Sequence, residues 1–287
     1  ASFGYLLSAN SNASVVATNK VLKAGGTAYK TKASFKSGKT EYPAGSYIVS
    51  GGSASIEDLA NEYGLEVTGL SAKPKVELTK VHAPKVGLYK SWVSNMDEGW
   101  TRFIMDEYAF ETDTLHDIDI QTKDLSQYDV LILPSQRAKS ILHGNSPLKM
   151  PEKFTGGIGL EGSLIKTGID TTHPLAFGMQ DTVAVSFNKS RAFVIDKQEK
   201  KGEGGTEDIK DAPAPQVEVI ANYAEKDLLM SGWAMGEKKY IAKKPAMVKA
   251  TYGKGSVVLF AFRPQFRAQP RGTYKLIFNS IFEGAAE

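Results

Sequence analysis

The 287-residue chain contains no cysteine. Disulfides, thiolate metal sites and cysteine nucleophiles are excluded together, while the compartment stays open, because exported and cytosolic chains alike can lack the residue. Histidine is scarce, with four copies at His82, His116, His143 and His173. None is followed by glutamate three residues on, so the His-x-x-Glu pair of a zinc hydrolase is missing and no metal site is assigned to this chain. His116 comes nearest, as His-Asp-Ile-Asp with Asp119, and is read as part of a polar loop before a strand. His143 and His173, beside glycine or proline, are read as turn histidines satisfied by backbone. No apolar run approaches the roughly 20 residues that span a bilayer. Strong net charge is absent as well: the balance is +3, spread along the chain, which argues against nucleic acid and anionic membranes as partners. The lysines at 20, 23, 30, 32, 36 and 39, interleaved with Tyr29 and Phe35, are read as a solvated face. Gly-x-Ser-x-Gly, the phosphate loop and the dinucleotide fingerprint are all missing.

What is present suits a large core. Hydrophobic residues make up 41% and aromatics 10%, enough for two domains. The chain opens with Ala1, so it is read as a processed product, a fragment or an expression product whose export signal has gone. Residues 1–80 read as a small α/β domain. "FGYLLS" is a strand, and "NASVVATNKVLKAGG" a helix with Ser11 or Asn12 as N-cap and Gly25–Gly26 as stop. Extended segments follow around Gly38 and Pro43–Gly45. Ile56, Leu59, Ala60 and Tyr63 mark a second helix closed by Gly64. Residues 72–84, with two prolines and several lysines, read as a linker.

From about Lys85 the pattern repeats on a larger scale, over residues 85–287. "KVGLYKSW" is a strand, followed by a helix with Trp100, Phe103, Ile104 and Tyr108 inward. "YDVLILPSQ" and "GSVVLFAF" are apolar enough for strands buried on both faces of a parallel sheet. "RGTYKLIFNSIF" forms a closing helix with Tyr274, Ile277, Phe278 and Ile281 inward. Strands alternating with helices predict a doubly wound, mostly parallel α/β sheet. Residues 196–212 lie in a charged, Gly-rich stretch with almost no large apolar side chain and are expected to be a mobile loop.

Several blocks carry a resemblance: "YLLSANSNASVVATNKVLKAGG", "YPAGSYIV", "KVGLYKSWVSNMDEGWTRFIMDEY", "YDVLILPSQ", "THPLAFGM", "EKDLLMSGW" and "GKGSVVLFAFRPQFRAQPRGTYKLIFNSIF". Together they resemble the C-terminal region of bacterial exported zinc carboxypeptidases of the M14 family. In that family the metallopeptidase domain comes first, then a small α/β segment, then a domain of the class I glutamine amidotransferase-like, flavodoxin-like type. The resemblance implies an exported protein and a non-catalytic accessory region. It places zinc in the absent peptidase domain and no cofactor in this chain. The implied partner is the peptidase domain of the same precursor or a partner subunit. Two departures stand out. The peptidase domain is missing. A strand of the "GGTLIAL" kind is also absent where "GGIGLEGSLIK" runs straight across, so residues are expected to be missing near 158–162. With no cysteine, amidotransferase activity is excluded.

One cluster invites two readings. Asp97, Glu98 and Arg102 begin the helix after the first strand of the larger domain. Gln136 and Arg137 leave the next strand, and Arg263, Gln265 and Arg267 follow "VVLFAF". On the first reading Asp97 or Asn95 caps the helix, Glu98 favours its positive end and Arg102 pairs locally. On the second, these side chains line a crevice at the strand ends that holds a carboxylate- or sugar-bearing ligand, such as a peptide or cell-wall fragment. The first is the default. A ligand-binding module and a stand-alone interaction subunit are the alternatives to the accessory role.

Overall fold

The structure, a computed structural model, describes residues 2–136, 162–188, 190–195 and 216–287. The interval near 158–162, Gly162 apart, and the loop at 196–212 lie outside the described residues. The chain divides into two compact units: Ala1–Phe154, Thr171–Met179 and Gln265–Glu287 form one, and Thr155–Asp170 with Gln180–Pro264 form the other.

The first unit begins with β1 (Gly4–Leu7), α1 (Ala13–Lys23), β2 (Gly26–Thr31), the β3–β4 hairpin (Phe35–Ser37, Thr40–Tyr42), β5 (Tyr47–Gly51), α2 (Ile56–Tyr63), β6 (Val67–Leu70) and β7 (Leu78–Val81). Five of these strands make an antiparallel sheet in the order β6-β1-β5-β2-β7. Residues 72–84, expected as a linker, thus supply an edge strand, whose Val81 is buried. Lysines around it hide so short an apolar signal. On one face Leu6, Ile48 and Leu70 close over Tyr42 of the hairpin. Ser55 caps α2 by accepting from the Asp58 N–H at 3.2 Å, and Gly64 ends it at φ 62°, the left-handed position glycine takes without penalty.

The same unit continues through β8 (Lys85–Tyr89), α3 (Met96–Glu107), β9 (Glu111–Leu115), α4 (Asp117–Thr122) and β10 (Val130–Ile132). These three strands pair in parallel in the order β10-β8-β9. A Cβ on Gly87 would stand 2.5 Å from Leu115 and 2.8 Å from Leu131, so glycine at the centre of β8 lets its two neighbours' side chains meet.

The expected doubly wound, mostly parallel sheet of flavodoxin or class I glutamine amidotransferase type does not form. Parallel pairing among the described residues stops at those three strands; the other sheets are antiparallel, and the largest curls into a half-barrel. The second unit holds that sheet. It contains β11 (Ser163–Ile169), β12 (Thr182–Phe187), β13 (Gln216–Tyr223), β14 (Leu229–Ser231), β15 (Pro245–Tyr252) and β16 (Gly255–Phe260) in the order β12-β11-β13-β15-β16, with β14 also on β11. The two apolar runs misled for a physical reason. "YDVLILPSQ" yields three strand residues, and Leu133 beyond them is 69% exposed. "GSVVLFAF" is the outer arm of a hairpin, turned at Gly253 (φ 57°), with Val257 and Leu259 on its open face. Length and hydrophobicity alone do not separate a doubly buried parallel strand from an antiparallel edge.

The last element, α5 (Tyr274–Gly284), fills the first unit's core. Phe278 lies 4.5 Å from Tyr108 and 5.5 Å from Phe110, and Phe282 lies 5.4 Å from Tyr47, ring centre to ring centre. Its inward face is the one the spacing predicts. Asn279 accepts from Lys30 Nζ at 2.9 Å and donates to the Phe177 carbonyl at 2.9 Å, while Lys275 Nζ donates to the Ala9 carbonyl.

Burial lowers both ammonium groups, Lys30 to about 8 against the opposing pull of Glu283, and Lys275 to about 8 with help from the charge of Lys30. Between about pH 8 and 10.5 the unfolded chain therefore holds protons that the folded chain has released, so stability rises with pH in that window. Each shift is worth about 3 kcal/mol at most. Tyr89, through burial and its hydrogen bond to Asp117, and Tyr274, through burial, keep their protons to about 12, which lowers stability above the ordinary phenol value of about 10. Urea unfolding at constant ionic strength is expected to show a rise above pH 8 and a fall beyond about pH 10, with the rise reduced in Lys275→Met.

Candidate functional site

The start of α3 inverts the expected pattern. Ile104 and Tyr108 are buried as the spacing predicts, but Phe103 is 50% exposed, Trp100 is half-buried, and Trp92 in the preceding loop is 84% exposed. The residues turned inward at the first turns are Asp97 at 5%, Glu98 at 6% and Thr101 at 3% exposure. Polar groups occupy the face an amphipathic helix gives to its core, and each needs a partner.

Most partners are nearby. Asn95, not Asp97, caps the helix: its extended backbone (φ −129°, ψ 117°) lets Oδ1 accept from the Asp97 N–H at 2.9 Å. The Asn95 amide nitrogen donates to the Ser135 carbonyl at 3.2 Å, tying the loop after β10 to the start of α3. Both carboxylates in the first turn stand at the positive end of the helix dipole. Glu98 Oε1 accepts from Arg102 Nε at 3.0 Å and from its Nη2, and that Nη2 also donates to Thr114 on β9 at 3.0 Å. Thr101 donates to the Asp97 carbonyl at 2.6 Å and accepts from Gln265 Nε2 at 2.9 Å.

Asp97, Glu98, Arg102 and Gln265 are therefore brought together, and Gln136 follows the Ser135 that Asn95 holds. Arg267 sits in a tight turn at φ 50°, with its guanidinium 5.3 Å from the Phe266 ring centre. Arg263 belongs to the other compact unit, where its N–H donates to the Ser186 carbonyl at 3.4 Å. Arg137 lies outside the described residues. The forked arginine grip on a ligand carboxylate loses its best candidate, because Arg102 is already closed onto Glu98. Sequence spacing placed these residues at strand ends but gave no sign of the bond from Gln265 to Thr101, which joins positions 164 apart in the chain.

The remaining candidates are occupied by the fold. His116 Nδ1 donates to the Lys90 carbonyl at 2.9 Å, and Asp119 accepts from the His116 N–H at 2.8 Å at the head of α4. The pair expected in a loop is thus a helix start. His173 accepts from the Leu175 N–H at 3.1 Å, and His82 meets Asp129 at 3.0 Å; His143 lies outside the described residues. Among the described residues no cluster of three His, Asp or Glu side chains converges as metal ligands. Within the lysine-rich face, Lys20 pairs with Glu62 and Lys32 with Glu77, and Lys30 turns to Asn279. No helix among the described residues is long and apolar enough to cross a membrane. A hollow of about 340 Å³ opens elsewhere, between β5 and α2, with Glu57 its one charged residue among serines, glycines and apolar side chains.

No protein-family model, no curated protein and no solved structure matches the chain.

The geometry sets two stability expectations. Asn95→Ala removes the cap and the tie to Ser135, at a cost of about 1–2 kcal/mol. Arg102→Met leaves Glu98 buried without its counterion, at a cost of about 1–3 kcal/mol. That stays below the figure for a wholly buried pair because the guanidinium keeps 30% exposure. Denaturant melts of both variants at pH 7 check the order.

Proposed function

We propose that this chain is a non-catalytic accessory region of an exported zinc carboxypeptidase of the M14 type, one that positions the peptidase domain or shapes access to it. The sequence blocks quoted above supply the family. The observation that favours an accessory role is the state of the polar groups at the strand ends. Glu98, the carboxylate best placed for acid–base work, is closed onto Arg102 and tied through it to Thr114. A general base must reach a substrate proton with a free lone pair, and the Glu98 oxygen that accepts from Arg102 is taken up by two guanidinium bonds. Thr101 is committed on both sides of its hydroxyl. In such a precursor the hydrolysis of C-terminal peptide bonds by zinc-activated water belongs to the peptidase domain, and partner contact is the task left to these residues.

The test uses the isolated chain and the precursor. Purified without chelators, the chain is expected to hold no stoichiometric zinc and to release no C-terminal amino acid from acylated dipeptides. Intact mass of the native gene product is expected to exceed that of this chain by a whole domain. One tightly held zinc per chain by elemental analysis, or a native product of this chain's own mass, overturns the proposal.

A further inference from the structure

We propose that the loop at residues 229–240 is a docking surface for an anionic lipid bilayer, with Trp233 and its apolar neighbours entering the headgroup layer and the lysines that follow facing its charge. The loop belongs to the second unit and runs between two buried anchors, Leu228 at 2% exposure and Ile241 at 0%. No residue from Leu229 to Tyr240 is buried, although Met230, Trp233, Met235 and Tyr240 stand among them at 54%, 64%, 69% and 46% exposure. Single exposed apolar side chains are ordinary, but a run of them marks a contact surface. The loop is also held in place. β14 pairs with β11 at Leu229 and Ser231, and Ser163 Oγ donates to the Trp233 carbonyl at 2.6 Å. A Cβ on Gly232 would stand 2.9 Å from Ser163 Cα. The backbone is thus pressed against β11 while the Trp233 indole is left to solvent. Past Gly236, at φ 82°, one helical turn (Glu237–Tyr240) folds the Tyr240 ring back to 3.1 Å from where a Cβ on that glycine would be. Lys239 Nζ lies 5.3 Å from the centre of the same ring. A loop ordered beforehand gives up less freedom when it docks.

Charge decides the partner. Residues 236–244, "GEKKYIAKK", carry four lysines against one glutamate, and Lys238, Lys239 and Lys243 are exposed. The chain's overall balance of +3 averages over this local grouping and does not register it. Lys243 pairs with Glu225 at 2.7 Å, but both side chains are more than half exposed, so water and salt weaken that bond and the lysine is able to exchange partners. Protein–protein interfaces are enriched in aromatics and methionine but depleted in lysine. At a bilayer surface the two go together: Trp and Tyr settle at headgroup depth, and lysines are drawn by the negative potential of anionic lipid. Single-stranded nucleic acid shares the charge and stacks its bases on aromatic rings. Met230 and Met235, flexible and apolar, suit acyl chains better than base faces. Such docking is peripheral and needs no membrane-crossing helix.

This surface is independent of the accessory role and is tested separately. The intact chain is sedimented with vesicles of equal parts phosphatidylcholine and phosphatidylglycerol, and with vesicles of phosphatidylcholine alone; a single-stranded oligonucleotide is titrated in parallel. Binding to the anionic vesicles is expected, weakened by added salt and stronger by about tenfold or more than binding to the neutral ones. Trp233→Ala is expected to fold normally, because Ser163 holds the backbone carbonyl rather than the indole, and to lose about tenfold in affinity or more. Lys238→Gln combined with Lys239→Gln is expected to lose about tenfold as well, and carries the comparison if Trp233→Ala fails to fold. Trp92→Ala, in the other unit, is expected to bind like the parent. Brominated phosphatidylcholine in the anionic vesicles is expected to quench tryptophan fluorescence in the parent and in Trp92→Ala, and much less in Trp233→Ala. The proposal is overturned if anionic vesicles do not bind, if neutral vesicles bind as well, if the oligonucleotide binds more tightly than the vesicles, or if a folded Trp233→Ala binds like the parent.

Discussion

Burial of α5 is the constraint on which the first unit depends. The last helix of the chain brings Phe278 and Phe282 against Tyr108 and Phe110, which frame the start of β9, and against Tyr47 on β5. One helix thereby holds the antiparallel sheet of the first 80 residues and the parallel sheet after residue 85 on a shared aromatic core. Each buried aromatic contributes through the area it removes from water, and offset ring pairs add a further ~0.5–1.5 kcal/mol. The segment Thr171–Met179 joins the same core: Asn279 binds the Leu175 and Phe177 carbonyls, and Gly178 lies so close to Ala9 that a Cβ would stand 2.3 Å from its carbonyl oxygen.

A core closed by the end of the chain has two consequences. Its contacts have high sequence separation, so loop-closure entropy must be overcome before they stabilise anything. It also takes in polar groups: Lys30, Lys275 and Asn279 are tethered to backbone or to one another across elements. Desolvation makes such groups costly unless every tie is made. The aromatic contacts and the lysine bonds therefore stand or fall together.

The start of α3 shows the same logic with an incomplete outcome. Asp97, Glu98 and Thr101 face inward while Trp92, Met96 and Phe103 face water. Glu98 and Thr101 find partners on their own helix, on β9 and on Gln265. Gln136 does not, and Gln265 finds only half of what it needs. A fold that turns polar groups in and aromatics out at one place, and leaves amide atoms unpaired there, departs from the rule that local pattern and global packing agree.

Local chemistry was legible from the residues themselves. The Gly64 stop of α2, the strand at Gly4–Leu7 and the inward face of α5 follow from spacing and the left-handed freedom of glycine, all set within a few residues. The cluster of Asp97, Glu98, Arg102 and Gln265 was legible in part, since strand ends of an α/β unit gather polar side chains. Sheet topology was not. Whether "YDVLILPSQ" lies inside a parallel sheet or at its edge, and whether "GSVVLFAF" pairs in parallel or in a hairpin, depends on which distant strand each meets, and hydrophobicity is the same either way. The orientation of α3 was hidden too, because a helix whose partner surface is polar buries its carboxylates instead of its tryptophan. Sequence by itself determined the helix stop at Gly64 and the inward face of α5, because those signals are short-range; only tertiary structure decided which strands pair, which face of α3 is inside and which amides go unpaired, because each is settled by residues tens to hundreds of positions away.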